Sequence, residues 1–187
     1  MSKIRFEQVD PSPTVLLLVD FVNPLNFEGS EDIASSAVEA ARRTAALRRR
    51  LSKDRVRTIY ANDNYGLWTS EFRALWKRCA ALGGAPGQIA KLVPPRLKDF
   101  ALLKPRHSAF YATPLEILLQ QLHCKRLVVT GLAADSCILF SAMDAYLRGY
   151  SLWIPPDCVA AESQDARDKA LELMARTLKA DVRPASP

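Results

Sequence analysis

Three side chains stand at places where this sequence could do chemistry. Asp20 closes the apolar run Val15-Leu-Leu-Leu-Val19. Lys104 closes Asp99-Phe-Ala-Leu-Leu. Cys137 follows the run Leu127-Val-Val-Thr130 and Gly131 by a few residues. A carboxylate can accept a proton, an ammonium favours a neighbouring anion, and a thiolate attacks carbonyl carbon. Each residue also has an ordinary alternative. Asp20 suits a turn or a helix cap, Lys104 a surface charge, and Cys137 a small buried hydrophobe.

The elements that must position them follow from periodicity. Val15–Val19 and Leu127–Thr130 are continuous apolar runs, the pattern of strands covered on both faces. Thr58–Ala61, Asp99–Lys104 and Tyr150–Ile154 read as further strands, and Ala180–Val182 as a short sixth. Between them lie helical patterns. Ser30-Glu-Asp opens a helix with a cap residue and acids in its first turn, and Ile33, Ala37, Ala40, Ala41, Leu47 and Leu51 form its apolar stripe. Phe72, Leu75 and Trp76 mark a second helix, closed by Gly83-Gly84, and Gln88–Pro95 a short helical turn. Thr113-Pro-Leu-Glu116 is a capping box with proline at the first helical position, and Leu115, Leu118, Leu119 and Leu122 form the core face behind it. Gly131 is expected to break the fourth strand. Beyond Ser136 the apolar residues Ile138, Leu139, Ala142, Met143 and Tyr146 recur at helical spacing, with Gly149 at the far end. Ser163–Lys179 is the last helix, with Ala166, Ala170, Leu171, Met174 and Leu178 inward.

Alternating strands and helices predict an α/β fold with three layers: a mostly parallel, open sheet of about six strands, with helices on both faces. Ligands of such sheets bind beyond the carboxyl ends of the strands, where all three chemical groups fall. Cys137 would sit at a strand-to-helix turn, where free N–H groups and the helix dipole favour thiolate and can hold an oxyanion.

The chain has 187 residues, enough for one domain with a sizeable core. A single domain spanning 1–187 is expected, with its core over about 15–178, an N-terminal arm over 1–13 and a loose tail from Arg183. Its net charge of +6 invites a nucleic-acid reading. Much of that excess lies between Arg42 and Arg57, without interleaved aromatics for base stacking, so a solvated basic face is expected and no nucleic-acid partner. No apolar run is long enough to span a bilayer, so no membrane partner is expected. Met1–Pro13 lacks the apolar core of a signal peptide, and a cytoplasmic location follows as the expectation. The four cysteines form no CxxC pair and there are only two histidines. Zinc spacings are therefore absent, and free thiols are expected. P-loop and GxGxxG fingerprints are also missing.

Longer blocks carry a resemblance. They are Leu-Leu-Leu-Val-Asp20 with Asn23, Lys104-Pro-Arg-His-Ser-Ala-Phe110 with Thr113-Pro-Leu, and Leu127-Val-Val-Thr-Gly-Leu-Ala-Ala-Asp-Ser-Cys137. Ala142-Met-Asp-Ala145, Gly149-Tyr150 and Asp157-Cys-Val-Ala160 extend them. In this order and spacing the chain resembles the isochorismatase-like cysteine hydrolases, the superfamily of nicotinamidases and N-carbamoylsarcosine amidases. The resemblance implies a catalytic triad of Asp20, Lys104 and Cys137. It implies a cis peptide between Leu132 and Ala133, and an oxyanion hole made by the N–H groups of Ala133 and Cys137. It implies hydrolysis of a C–N bond in a small amide, ureido or carbamoyl substrate through a thioester-type intermediate, with Asp20 also activating the water. Homo-oligomers are common among such proteins, so a homo-oligomer is an open alternative.

The sequence also departs from that pattern. Nicotinamidases carry D-x-H after the second strand, whereas here Tyr65 follows Asp63 where the histidine would be. No bound metal and no other cofactor are expected, nicotinamide becomes a poor candidate, and Asp63 reads as a turn residue. Val22 stands where relatives often have glutamine. Phe21, Asn23, Leu25, Tyr65, Trp68 and Phe140 are the candidate substrate-binding residues, the apolar ones also fitting ordinary core or rim. His107 fits substrate contact or structural hydrogen bonding. Competing functions are a non-enzymatic binding or scaffold protein on the same fold, a thiol redox sensor, and an isochorismatase-type ether hydrolase.

Overall fold

A computed structural model describes residues 9–185 of the chain. Among the described residues there are six strands: β1 (Thr14–Val19), β2 (Arg57–Asp63), β3 (Phe100–Lys104), β4 (Arg126–Leu132), β5 (Ser151–Trp153) and β6 (Val159–Ala160). Six α-helices connect them: α1 (Ser30–Leu51), α2 (Phe72–Ala81), α3 (Gly84–Leu92), α4 (Leu115–Gln121), α5 (Leu139–Leu147) and α6 (Gln164–Leu178). The sheet runs β3-β2-β1-β4-β5, with β6 also on β4, and the strands pair in parallel throughout. Chain order reverses between β1 and β4, and ligands of such sheets bind beyond the strands' carboxyl ends at this kind of reversal.

Successive strand residues point to opposite faces, and two cores result. Val15, Leu17, Ile59, Leu127 and Val129 pack under Leu115 and Leu119 of α4, Ala142 of α5 and Leu171 and Met174 of α6. Leu16, Leu18, Tyr60 and Val128 pack under Ile33, Ala37 and Leu47 of α1, Leu75 of α2 and Ile89 of α3. The predicted three-layer α/β architecture is therefore what forms.

Several local expectations are corrected. Gly131 does not break β4: the strand continues through it, at φ 128°, to Leu132. A Cβ on Gly131 would lie 1.9 Å from the carbonyl oxygen of Val19, so glycine here permits close approach of β1 rather than a turn. The sixth strand is Val159–Ala160, paired with Gly131–Leu132. The segment 180–182 contributes only an isolated bridge between Asp181 and Trp153. Gly83-Gly84 does not merely close α2. It starts α3, which approaches so closely that a Cβ on Gly87 would meet the Leu82 carbonyl. Ser30 is the first helical residue of α1 rather than its cap, a place taken by Gly29.

Met143 and Tyr146 of α5 face solvent, and Ser141 and Ala145 are buried in their place. Arg48 is not part of a solvated face. It is 3% exposed, pairs with Asp99, and donates to Tyr60 Oη (3.0 Å) and the Pro94 carbonyl (2.8 Å). Of the expected N-terminal arm, residues 1–8 lie outside the described residues. Residues 9–13 are docked: Ser12 N–H donates to Leu122 O, and Ser12 Oγ accepts from Arg57 N–H. The tail is likewise tied as far as Ala185, which is buried and donates to Asp157; residues 186–187 lie outside the described residues. Cys79, Cys124, Cys137 and Cys158 are all free.

Candidate active site

Residues ending adjacent strands build the site. Asp63 ends β2 and pairs in register with Lys104, which ends β3. Asp20 follows β1 directly and sits at φ 50°, a left-handed conformation that is strained for a residue with a side chain. That turn is held from two sides: Asp20 N–H donates to Ala61 O, and Asp20 Oδ1 accepts from Asp63 N–H at 2.7 Å. Beyond it, Asn62 clamps Val22, accepting its N–H (3.0 Å) and donating to its carbonyl (2.8 Å). Nothing in the sequence pattern singled out Asn62, whose partner lies forty residues away.

Cys137 lies in a π-helical turn, Ala134–Ile138, that leads from β4 into α5. The Ala133 carbonyl accepts from both Ser136 N–H and Ile138 N–H, which fixes that turn. π-turns of this kind often occur at functional sites. The expected cis bond between Leu132 and Ala133 is not found: the described residues contain no cis peptide. Leu132 pairs with Ala160 and Ala133 is extended, a path the intrinsically cheaper trans bond continues.

The three groups converge. Lys104 Nζ lies 2.7 Å from Asp20 Oδ2 and 3.4 Å from Cys137 Sγ. It also donates to the Arg106 carbonyl at 3.2 Å, and Asp63 Oδ2 stands 4.0 Å away. Lys104 is fully buried and Asp20 nearly so, whereas Cys137 is half-buried and reachable.

Burial dominates the electrostatics. It raises the Asp20 carboxyl above the usual carboxylate range, against the pull of the Lys104 ammonium. Burial also disfavours the Lys104 ammonium, but Asp20, Cys137 and Asp63 outweigh it and raise its affinity for the proton. The Cys137 thiol is pushed up to about 12, by burial first and the Asp20 carboxylate second, despite Lys104. This corrects the expectation of a resting thiolate. The helix dipole and one ammonium do not offset desolvation beside a carboxylate. Desolvation thus favours the thiol over the thiolate at Cys137, beside a carboxyl whose raised proton affinity suits it to accept a proton.

Of the candidate substrate-binding residues, Phe140 is half exposed and stacks on His107 with centroids 5.5 Å apart. His107 Nδ1 lies 3.7 Å from Cys137 Sγ and 3.4 Å from Ser136 Oγ. Asn23 accepts from Leu25 N–H, and Leu25 packs partly buried against the α1-side core. Phe21 is fully buried in that core, so it supplies packing rather than ligand surface. Trp68 projects with 80% of its surface exposed.

The D-x-H place does not fit a metal. Tyr65 donates its hydroxyl to Val22 O at 3.1 Å, and burial raises its phenol, so it offers no phenolate. Asp63 Oδ1 is taken by Tyr65 N–H. The described residues contain no group of three or more His, Cys, Asp or Glu arranged to hold a metal ion.

Residues 14–183 match the family model of the isochorismatase domain. The chain belongs to the isochorismatase family. It is 35% identical over 167 residues to the uncharacterised isochorismatase family protein YaaI of Bacillus subtilis, covering 89% of this chain and 91% of that protein. It is 27% identical over 164 residues to a maleamate amidohydrolase of Pseudomonas putida, covering 83% and 76%. The crystal structure of N-carbamoylsarcosine amidase from Thermoplasma acidophilum superposes with a TM-score of 0.70 at 23% identity, covering 93% and 97%, which shows a shared fold. The chain is thus an isochorismatase-family hydrolase, and its homologues include amidohydrolases. Among the described residues no helix is long and apolar enough to cross a membrane.

Proposed function

We propose that this protein is a cysteine-dependent amidohydrolase that cleaves the C–N bond of a small amide, ureido or carbamoyl compound. The observation that carries this reading is the contact of Lys104 Nζ with both Asp20 Oδ2 and Cys137 Sγ. In the first step Asp20 takes the thiol proton as Sγ attacks the carbonyl carbon. Proton transfer and attack are coupled because a free thiolate beside the Asp20 carboxylate is disfavoured. Lys104 offsets the charge that develops on sulfur, and the N–H groups of Ala133 and Cys137 receive the oxyanion. The tetrahedral adduct collapses, Asp20 passes its proton to the leaving nitrogen, and ammonia or an amine departs. Water then attacks the thioester carbonyl and releases the acid and the thiol. A carbamoyl group would pass through the same steps. No metal is required in any of them.

The test is ammonia release from a panel of neutral and anionic small amides, ureido and carbamoyl compounds, with Cys137→Ala as comparison. Turnover by the wild type that disappears in the variant is expected. Equal turnover by Cys137→Ala would overturn the nucleophile, and binding without any turnover would favour a scaffold.

A further inference from the structure

Lys104 has no hydrogen left over for a substrate. An ammonium carries three N–H donors, and Asp20 Oδ2, the Arg106 carbonyl and Cys137 Sγ lie 2.7, 3.2 and 3.4 Å from its nitrogen. It is also fully buried. The other cation of this loop, Arg106, is exposed, where water screens its charge. A carboxylate, by contrast, keeps an oxygen available. Asp63 Oδ1 accepts from Tyr65 N–H at 2.6 Å, which closes a turn. Among the described residues Oδ2 meets only the Lys104 ammonium, at 4.0 Å, beyond hydrogen-bond length. The Asp63 side chain is 35% exposed, against 6% for Asp20. Oδ2 and Cys137 Sγ both lie within 4.0 Å of the Lys104 nitrogen, so a small molecule bonded to the sulfur comes within reach of that oxygen.

We propose that Asp63 is a specificity-determining residue: its Oδ2 accepts an N–H from the group beside the reacting carbon and repels a carboxylate in the same place. The proposal rests on the cysteine hydrolase reading above. It narrows the substrates to uncharged N–H donors at that position, as a ureido, carbamoyl or primary amide group supplies. A neutral N–H facing a carboxylate makes a charge-assisted hydrogen bond. A substrate carboxylate there meets Asp63 and Asp20, while the one buried ammonium is already taken, and such juxtaposition is how a site rejects a competitor. The ordinary role for Asp63 is the turn alone, and Asp63→Asn separates the two. The amide oxygen still accepts from Tyr65 N–H, but the group on the other side becomes an uncharged donor.

This selection is testable without knowing the natural substrate. Iodoacetamide and iodoacetate both join a CH2 carbon to sulfur with loss of iodide, and they differ only in carrying an amide or a carboxylate beside it. Peptide mapping gives the rate constant for each at Cys137; the other three cysteines are buried. The readout is the amide-to-carboxylate rate ratio, set against that of an uncharged cysteine peptide. Both reagents meet the same thiolate, so any change in thiol ionisation cancels. The wild-type ratio is expected to exceed the peptide's, and in Asp63→Asn it should fall on the order of 10-fold, the scale of one partly screened charge. Asp63→Glu, which keeps the charge, should retain the preference for the amide. An unchanged ratio in Asp63→Asn, an equal fall in Asp63→Glu, or a wild-type preference for iodoacetate would refute selection by Asp63 while leaving the nucleophile standing. Native protein that neither reagent labels at Cys137, although both label it in urea, would show a closed sulfur and remove the hydrolase reading as well.

Discussion

Asp20 Oδ2 and Lys104 Nζ meet at 2.7 Å although a whole strand, β2, lies between the strands that lead to them. Both side chains are almost wholly withdrawn from water. A buried ion pair adds little net stability, yet removing one member strands the other charge in the interior. Lys104→Met should therefore destabilise the fold by about 3–5 kcal/mol. The double variant Asp20→Asn/Lys104→Met should regain most of that stability while staying inactive. Urea unfolding midpoints of the two variants would decide it, and unchanged stability in Lys104→Met would contradict a buried pair.

Asp20→Asn separates proton acceptance from thiol ionisation. Loss of the carboxylate removes a negative charge beside Cys137, one of the causes that push its thiol up to about 12. Removing an anion favours the thiolate, so the pH midpoint of iodoacetamide labelling should move down. Hydrolysis should nevertheless fall by at least about 100-fold, because the proton acceptor is gone. Wild-type protein should label Cys137 slowly at neutral pH and faster as pH rises. A midpoint that rises in Asp20→Asn would overturn the assigned electrostatics.

Gly131→Ala tests the contact between the strands that flank the crevice. The added Cβ would meet the Val19 carbonyl at 1.9 Å from a backbone at φ 128°. Overpacking alone costs about 1–3 kcal/mol, and the conformation adds strain. Val19 immediately precedes Asp20, so activity should fall even where the variant remains folded. A fully stable, fully active Gly131→Ala protein would refute the close approach.

Asp99→Ala should be among the more damaging substitutions outside the site. It removes the partner of Arg48, a guanidinium that is 3% exposed and bridges α1 to the loop before β3. A loss of about 3–5 kcal/mol is expected. The loss should be nearly independent of salt, since buried pairs are poorly screened. A strong salt dependence, measured by thermal unfolding in 0.05 and 0.5 M sodium chloride, would place the pair at the surface instead.

The strongest misreadings of the sequence share a cause. Gly131 looked like a strand breaker because glycine usually marks a turn, but the reason for it lies in Val19, over a hundred residues upstream. Arg48 looked solvated beside Arg49 and Arg50, since nothing local reveals that Asp99 and Tyr60 close over it. Val159–Ala160 is too short to show a period, and it becomes a strand only because the end of β4 offers free partners. Met143 and Tyr146 fit a helical stripe, yet the face that docks is set by the π-turn preceding α5.

By itself, the sequence determined the alternation of strands and helices, the two-sided burial of β1 and β4, and the placing of Asp20, Lys104 and Cys137 at strand ends. These follow from side-chain pattern along the chain, which local sterics and hydrophobicity convert into structure. Only the tertiary structure decided that Lys104 reaches across β2 to Asp20, that the Cys137 thiol is raised rather than lowered, and that His107 faces the sulfur. Those outcomes depend on distance and desolvation between groups far apart in sequence, and neither quantity exists until the layers have packed.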